Sequence, residues 1–149
     1  FFNAKPETQM EFDLGLAVRE DSENPVYYVQ YAHARICTLL KNLAADGHTV
    51  PSPDAVDFSL LTDSTELALI KQIAGYSDIV RLAARDYDPS FINRYLTDLA
   101  AAFHKFYNAC RIKGEAEDLL NARLLLADTA RSVLKNGMEL IGCSAPEKM

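Results

Sequence analysis

The sequence predicts an all-α protein, a helical bundle of about five helices behind a short non-helical N-terminal flank. Two observations carry this. Ala and Leu supply 39 of the 149 residues against 14 for Val and Ile, and Gly and Pro together supply only 12, so helix formers dominate and turn punctuation is sparse. Apolar residues also recur at spacings of three and four in successive stretches, each bounded by capping residues, glycine or proline. A chain of this length buries roughly 68–70% of its unfolded surface, so one core is enough.

The elements follow in order. Residues 1–23 place Phe12, Leu14 and Leu16 at alternate positions beside an acidic run, a pattern closer to an extended piece than to a helix. Asn24-Pro25 then joins a favoured N-cap to a favoured first helical residue, and Tyr28, Tyr31, Ala32, Arg35, Leu39 and Leu43 continue a helix of about 20 residues towards Gly47. His48 to Asp54 holds two prolines and no helical period, which reads as a loop. Asp63 with Glu66 has the spacing of a capping box ahead of Leu67, Ile70, Ile73 and Ala74, and Gly75 closes that helix. Ser77 is the expected cap of a third helix running to Asp88-Pro89. That pair restarts a helix of roughly 24 residues, about 36 Å, through Phe91, Tyr95, Leu99, Phe103, Phe106 and Tyr107 to Ile112. The last long helix is expected from about Ala116 to Asn136, with Gly137 at its cap and a short apolar set, Met138 to Ile141, beyond it.

Composition narrows the function. No apolar run approaches the ~18–20 residues that span a bilayer, and the start FFNAKPETQMEF lacks the layout of a secretory signal, so a soluble, cytoplasmic protein without a membrane partner is expected. The first residue, Phe rather than Met, suggests a piece of something longer. Cys37, Cys110 and Cys143 form no C-x-x-C pair and read as small buried hydrophobes. The formal charge of −6 argues against sequence-independent binding of DNA or RNA, which draws on many Lys and Arg. Residues 1–24 carry −4 of that charge, leaving the main body nearly neutral. Phosphate-binding loops, dinucleotide fingerprints, H-E-x-x-H and G-x-S-x-G are all missing from the sequence, and His33, His48 and His104 are scattered without ligand spacing. No catalytic, metal or cofactor site is therefore assigned to these residues.

Three features suit binding. Tyr27 to Arg35 packs three tyrosines, Gln30, His33 and Arg35 into nine residues, and on a helix Tyr28, Tyr31 and Arg35 share a face able to stack on bases and reach phosphate or base edges. Core packing is the other reading of those rings. His104 to Lys113 interleaves basic and aromatic residues with no acidic one, although Tyr107 also shares the face of Phe103 and Cys110. The tail Pro146 to Met149 follows directly on helical sequence and frays unless it is docked.

These residues resemble the C-terminal part of the arginyl-tRNA synthetase family. Asn24 to Arg35 is similar to the family's junction between catalytic and anticodon-binding domains, and Phe1-Phe2-Asn3 with Phe12-Asp13-Leu14 to the end of its catalytic domain. Leu120 to Leu124, Val133 to Gly142 and Ser144 to Met149 resemble the close of its DALR anticodon-binding domain, while residues 45–95 match only loosely. The domain's naming motif departs, with Asn121-Ala122-Arg123-Leu124 in place of Asp-Ala-Leu-Arg, which leaves Arg123 a structural or hydrogen-bonding residue. The resemblance implies residues 1–23 as a catalytic-domain remnant and 24–149 as a helical module that grips the anticodon loop of arginine tRNA; a monomer is the simpler expectation. Its catalytic partner domain in the same chain would join arginine to the tRNA using ATP with Mg. Carried over by position, the anticodon-binding residues are Tyr28, Tyr31, His33, Arg35, Tyr107 and Met149, to which the basic-aromatic stretch adds Arg111. The competing reading is a helical protein-interaction domain with no RNA role.

Overall fold

A computed structural model describes residues 13–21 and 23–149. Among them the order is α1 (Leu14–Ala17), α2 (Pro25–Ala45), α3 (Ser64–Ala74), α4 (Tyr76–Asp86), α5 (Ser90–Ala109) and α6 (Glu117–Leu140), with no strand. The all-α expectation holds. Of the flank, residues 1–12 and 22 lie outside the described residues. Leu14–Ala17 is a helical turn rather than extended chain, closed by the Val18 N–H on the Leu14 carbonyl at 3.3 Å. Alternating apolar residues make a strand only when a neighbouring strand takes their backbone groups; here the turn satisfies its own.

α5 is the centre of the bundle and packs against α2, α3, α4 and α6. Its Leu99, Ala100, Phe103 and Phe106 are completely buried, meeting Ile36 and Leu43 of α2 and Leu124, Ala130 and Leu134 of α6 in one core. α2 begins as its sequence dictates, with Pro25 in the first turn and the Asn24 side chain accepting the Val26 N–H at 3.1 Å. The 18 residues between α2 and α3 contain two 3-10 turns, Pro53–Ala55 and Phe58–Leu60, and are pinned by buried Leu61.

α3 opens on the expected capping box: Asp63 accepts the Thr65 N–H at 2.8 Å, and the Glu66 carboxylate accepts the Asp63 N–H at 2.9 Å. Glu66 is itself fully buried, and its other oxygen meets Arg123 Nε of α6 at 2.6 Å. The same guanidinium donates through Nη1 to the Arg111 carbonyl at 2.5 Å. One side chain thus ties α6, the start of α3 and the loop after α5 together, the structural role the sequence suggested for Arg123.

Three boundaries differ from expectation. α4 starts at Tyr76, with Gly75 as its cap, so Ser77 lies inside the helix. Gly75 serves both helices: its N–H meets Lys71 and Gln72 carbonyls, and its own carbonyl accepts the Ile79 N–H at 3.2 Å. α5 stops at Ala109, three residues short of Ile112, where Cys110 turns to extended backbone and the Arg111 carbonyl is taken by Arg123. α6 passes through Gly137 to Leu140, absorbing the supposed separate apolar set. Gly137 is a packing residue there, because a Cβ would sit 2.5 Å from Leu96 Cδ2 and 3.2 Å from its Cγ where α5 crosses. The stop is supplied by Gly142 at φ 72°: its N–H meets the Glu139 carbonyl at 3.1 Å and the Cys143 N–H meets the Met138 carbonyl at 2.8 Å, a Schellman ending.

Candidate nucleic-acid interface

α2 and α5 lie side by side, and the exposed edge of their contact gathers the aromatic and basic residues of both. Positions 28, 31 and 35 fall on one face of α2 because each step is close to a full turn. His104 and Tyr107 meet that face from α5. The Arg35 guanidinium lies 4.3 Å from the centroid of the Tyr107 ring, and its Nη1 is 3.5 Å from His104 Nδ1. The His104 ring stands 5.4 Å from Tyr28 and 5.9 Å from Tyr31, centroid to centroid, and Phe103 backs both His104 and Tyr107 from the core. Tyr31 is 42% exposed, so its ring is open at the edge of the cluster.

The electrostatics follow from this packing. Burial, with the Arg35 charge behind it, lowers the His104 pKa below its ordinary value. A neutral His104 presents a lone pair on Nδ1 to the Arg35 N–H and leaves its other nitrogen as a donor. Burial also raises the Tyr28 hydroxyl above its usual range, keeping it protonated at neutral pH. The cluster is therefore a cation held between uncharged rings.

Three adjoining grooves surround it. One of about 400 Å³ is lined by Tyr27, Tyr28, Tyr31, Arg35, His104 and Asn108. A second, about 260 Å³, shares Tyr31 and Arg35 and adds Thr38, Tyr107 and Met149. A third, about 470 Å³, continues from Tyr107 along Asn108, Arg111 and Lys113. Each is lined without an acidic side chain among the described residues. Flat rings, a guanidinium and amide groups beside open volume are the equipment for stacking unpaired bases and bonding to their edges.

Met149 reaches this place because the tail is docked along α2. Gln30 Nε2 donates to the Ser144 carbonyl at 2.9 Å, His33 Nδ1 donates to the Pro146 carbonyl at 2.8 Å, and Lys41 Nζ meets Glu147 at 3.0 Å. Of the residues expected to bind RNA, Tyr28, Tyr31, Arg35, Tyr107 and Met149 come together, and Arg111 borders the third groove. His33 does not join them. It is 1% exposed on the core side of α2, since two residues beyond Tyr31 is about 200° around the helix. Burial is the largest influence on its imidazole and lowers its pKa. His104, Asn108 and Tyr27 also line the first groove; the sequence places them within its two binding stretches but not among the expected anticodon-binding residues. His104 and Asn108 stand four apart inside the basic-aromatic stretch, so a helical-face projection of that stretch against Tyr107 is the signal that finds them.

Among the described residues no group of three His, Cys, Asp or Glu side chains is placed to hold a metal ion, and no helix is long and apolar enough to cross a membrane. Comparison with known proteins locates the chain. The model of the DALR anticodon binding domain matches residues 29–149. An arginine–tRNA ligase of Ruminiclostridium cellulolyticum is 49% identical over 150 residues, covering 100% of this chain and 27% of that protein. The ligase of Acetivibrio thermocellus is 47% identical with the same coverage. In three dimensions the arginyl-tRNA synthetase of Thermus thermophilus superposes with a TM-score of 0.80 at 30% identity, over 97% of this chain and 24% of that one. The chain spans about a quarter of the length of the curated relatives it matches. The family match takes in α2 from Val29, all of α3 to α6 and the docked tail, and the chain belongs to the DALR anticodon-binding domain family.

Proposed function

We propose that residues 24–149 form the module by which an arginine–tRNA ligase grips the anticodon loop of its tRNA, with Tyr28, Tyr31, Arg35, Tyr107, Arg111 and Met149 at the contact surface and His104 added to them. The observation that carries this is the Arg35 guanidinium stacked over Tyr107 with the open Tyr31 ring beside it, bordered by grooves without acidic lining. A chain with a formal charge of −6 gains little from diffuse attraction to phosphate, so its affinity must come from a compact stacking and hydrogen-bonding site. In this reading the protein is a cytoplasmic monomer. The joining of arginine to tRNA with ATP and Mg belongs to a catalytic domain in sequence outside these residues, which also supplies further tRNA contacts. The 149 residues alone then bind with modest affinity, because the linked contacts that raise effective concentration are missing.

The test is a titration of the chain with a labelled arginine-tRNA anticodon stem-loop and with the same stem carrying a scrambled loop, at two salt concentrations. Selective binding of the native loop with a shallow salt dependence is expected. Equal binding of both loops, repeated with the full-length protein, overturns the reading in favour of protein docking.

A further inference from the structure

The tail after α6 has no regular secondary structure among residues 143–149, yet it follows α2 through three side-chain contacts spaced along one side of that helix. Gln30 holds Ser144 by its carbonyl and, at 3.2 Å, by its hydroxyl. His33 holds Pro146. Lys41 and Glu147 form an exposed ion pair, the kind that contributes little because water screens it. The first two contacts differ in kind. His33 is buried, and among the described residues its other hydrogen-bonding neighbour is the Cys37 sulfur, at 3.8 Å or more. The charges of Arg131 and Lys135 of α6 and of Glu147 in the tail act on its imidazole, Cys37 of its own helix lies beside it, and no groove of the interface is lined by it. Gln30 likewise lines none of the three grooves.

We infer that Gln30 and His33 are positioning residues for RNA binding: they strap residues 143–149 to α2 so that Met149 is held beside Tyr31, Arg35 and Tyr107 before the RNA arrives. The inference rests on the anticodon-loop reading above. The Schellman ending at Gly142 aims the chain, Gln30 and His33 fix its path three residues apart on the helix, and Met149 completes the groove shared with Tyr31 and Tyr107. Without the two clamps the Met149 side chain has to be immobilised at the moment of binding, and that ordering weakens affinity.

The experiment measures stem-loop affinity of the full chain carrying Met149→Ala, Gln30→Ala, His33→Leu and His33→Asn, alone and in pairs, with thermal melts alongside. Met149→Ala, Gln30→Ala and His33→Leu are each expected to weaken binding by about 3- to 10-fold, the cost of losing or having to order one flexible side chain. Adding Met149→Ala to Gln30→Ala or His33→Leu is expected to change nothing more, whereas Tyr31→Ala keeps its full effect in the same backgrounds. His33→Asn restores affinity, because the asparagine Nδ2 stands as many bonds from Cα as histidine Nδ1 and can donate to the Pro146 carbonyl. A purely structural role for His33 lowers the melting temperature without this dependence on Met149. Should His33→Leu fail to fold, the half-buried Gln30 carries the test. Clamp variants that bind like the parent chain, or whose effects add to Met149→Ala, overturn the inference. If Met149→Ala and Tyr31→Ala are themselves silent, it is the anticodon-loop reading that fails.

Discussion

Replacing Arg123 by alanine is expected to lower the unfolding free energy by about 3–5 kcal/mol, the cost of leaving a buried charge without its partner. The Glu66 side chain is 1% exposed and that of Arg123 only 12%, so water can replace little of what is lost. One Glu66 oxygen would keep the Asp63 N–H, while the oxygen now 2.6 Å from Arg123 Nε would be stranded; the exposed Arg111 carbonyl would turn to water. Glu115, 3.7 Å from the guanidinium, adds a weaker contact at the rim. Chemical denaturation of the single and double variants checks this. Arg123→Leu combined with Glu66→Gln is expected to recover most of the loss, because Gln retains an acceptor for the cap and carries no charge. A cost below about 1 kcal/mol for Arg123→Ala, typical of an exposed pair, would contradict the burial of the network. The effect extends to the interface, since Arg123 fixes the backbone at which α5 ends and from which the Arg111 side chain projects.

The second large effect concerns binding alone. Tyr31→Ala is expected to weaken stem-loop affinity by about 5- to 150-fold, corresponding to the ~1–3 kcal/mol that a base stacked on an aromatic ring contributes. Because Tyr31 is exposed at the edge of the cluster and outside the core, its truncation should alter stability by no more than about 0.5 kcal/mol. The loss should be the same at both salt concentrations, since the ring carries no charge. Tyr107 calls for a different substitution: it packs on Phe103 and beneath Arg35, so Tyr107→Phe, which keeps the ring, separates the hydroxyl from the platform.

Local chemistry was legible in the sequence wherever it lies within a few residues. Asn24-Pro25 and the Asp63 to Glu66 spacing mark helix starts because a cap is made from neighbours. Gly137 misleads for the opposite reason: a glycine near a helix end signals a stop, but this one answers to Leu96 of another helix, and the working stop is Gly142. The end of α5 depends on Arg123, twelve residues on from Arg111, and no local rule reveals it. The site divides in the same way. Tyr28, Tyr31 and Arg35 follow from helical spacing, and counting the same spacing to His33 separates it from Tyr31. Its partner, the Pro146 carbonyl, is 113 residues away and leaves no trace in the local pattern.

The most direct measurement places photoactivatable 4-thiouridine in the anticodon loop, crosslinks it to the chain and maps the adducts by mass spectrometry. The account predicts adducts on the peptides bearing Tyr27 to Arg35, His104 to Lys113 and Met149, competed away by the unlabelled native stem-loop and not by its scrambled counterpart. Adducts concentrated on α3 and α4, or spread over the surface without regard to the competitor, would contradict it.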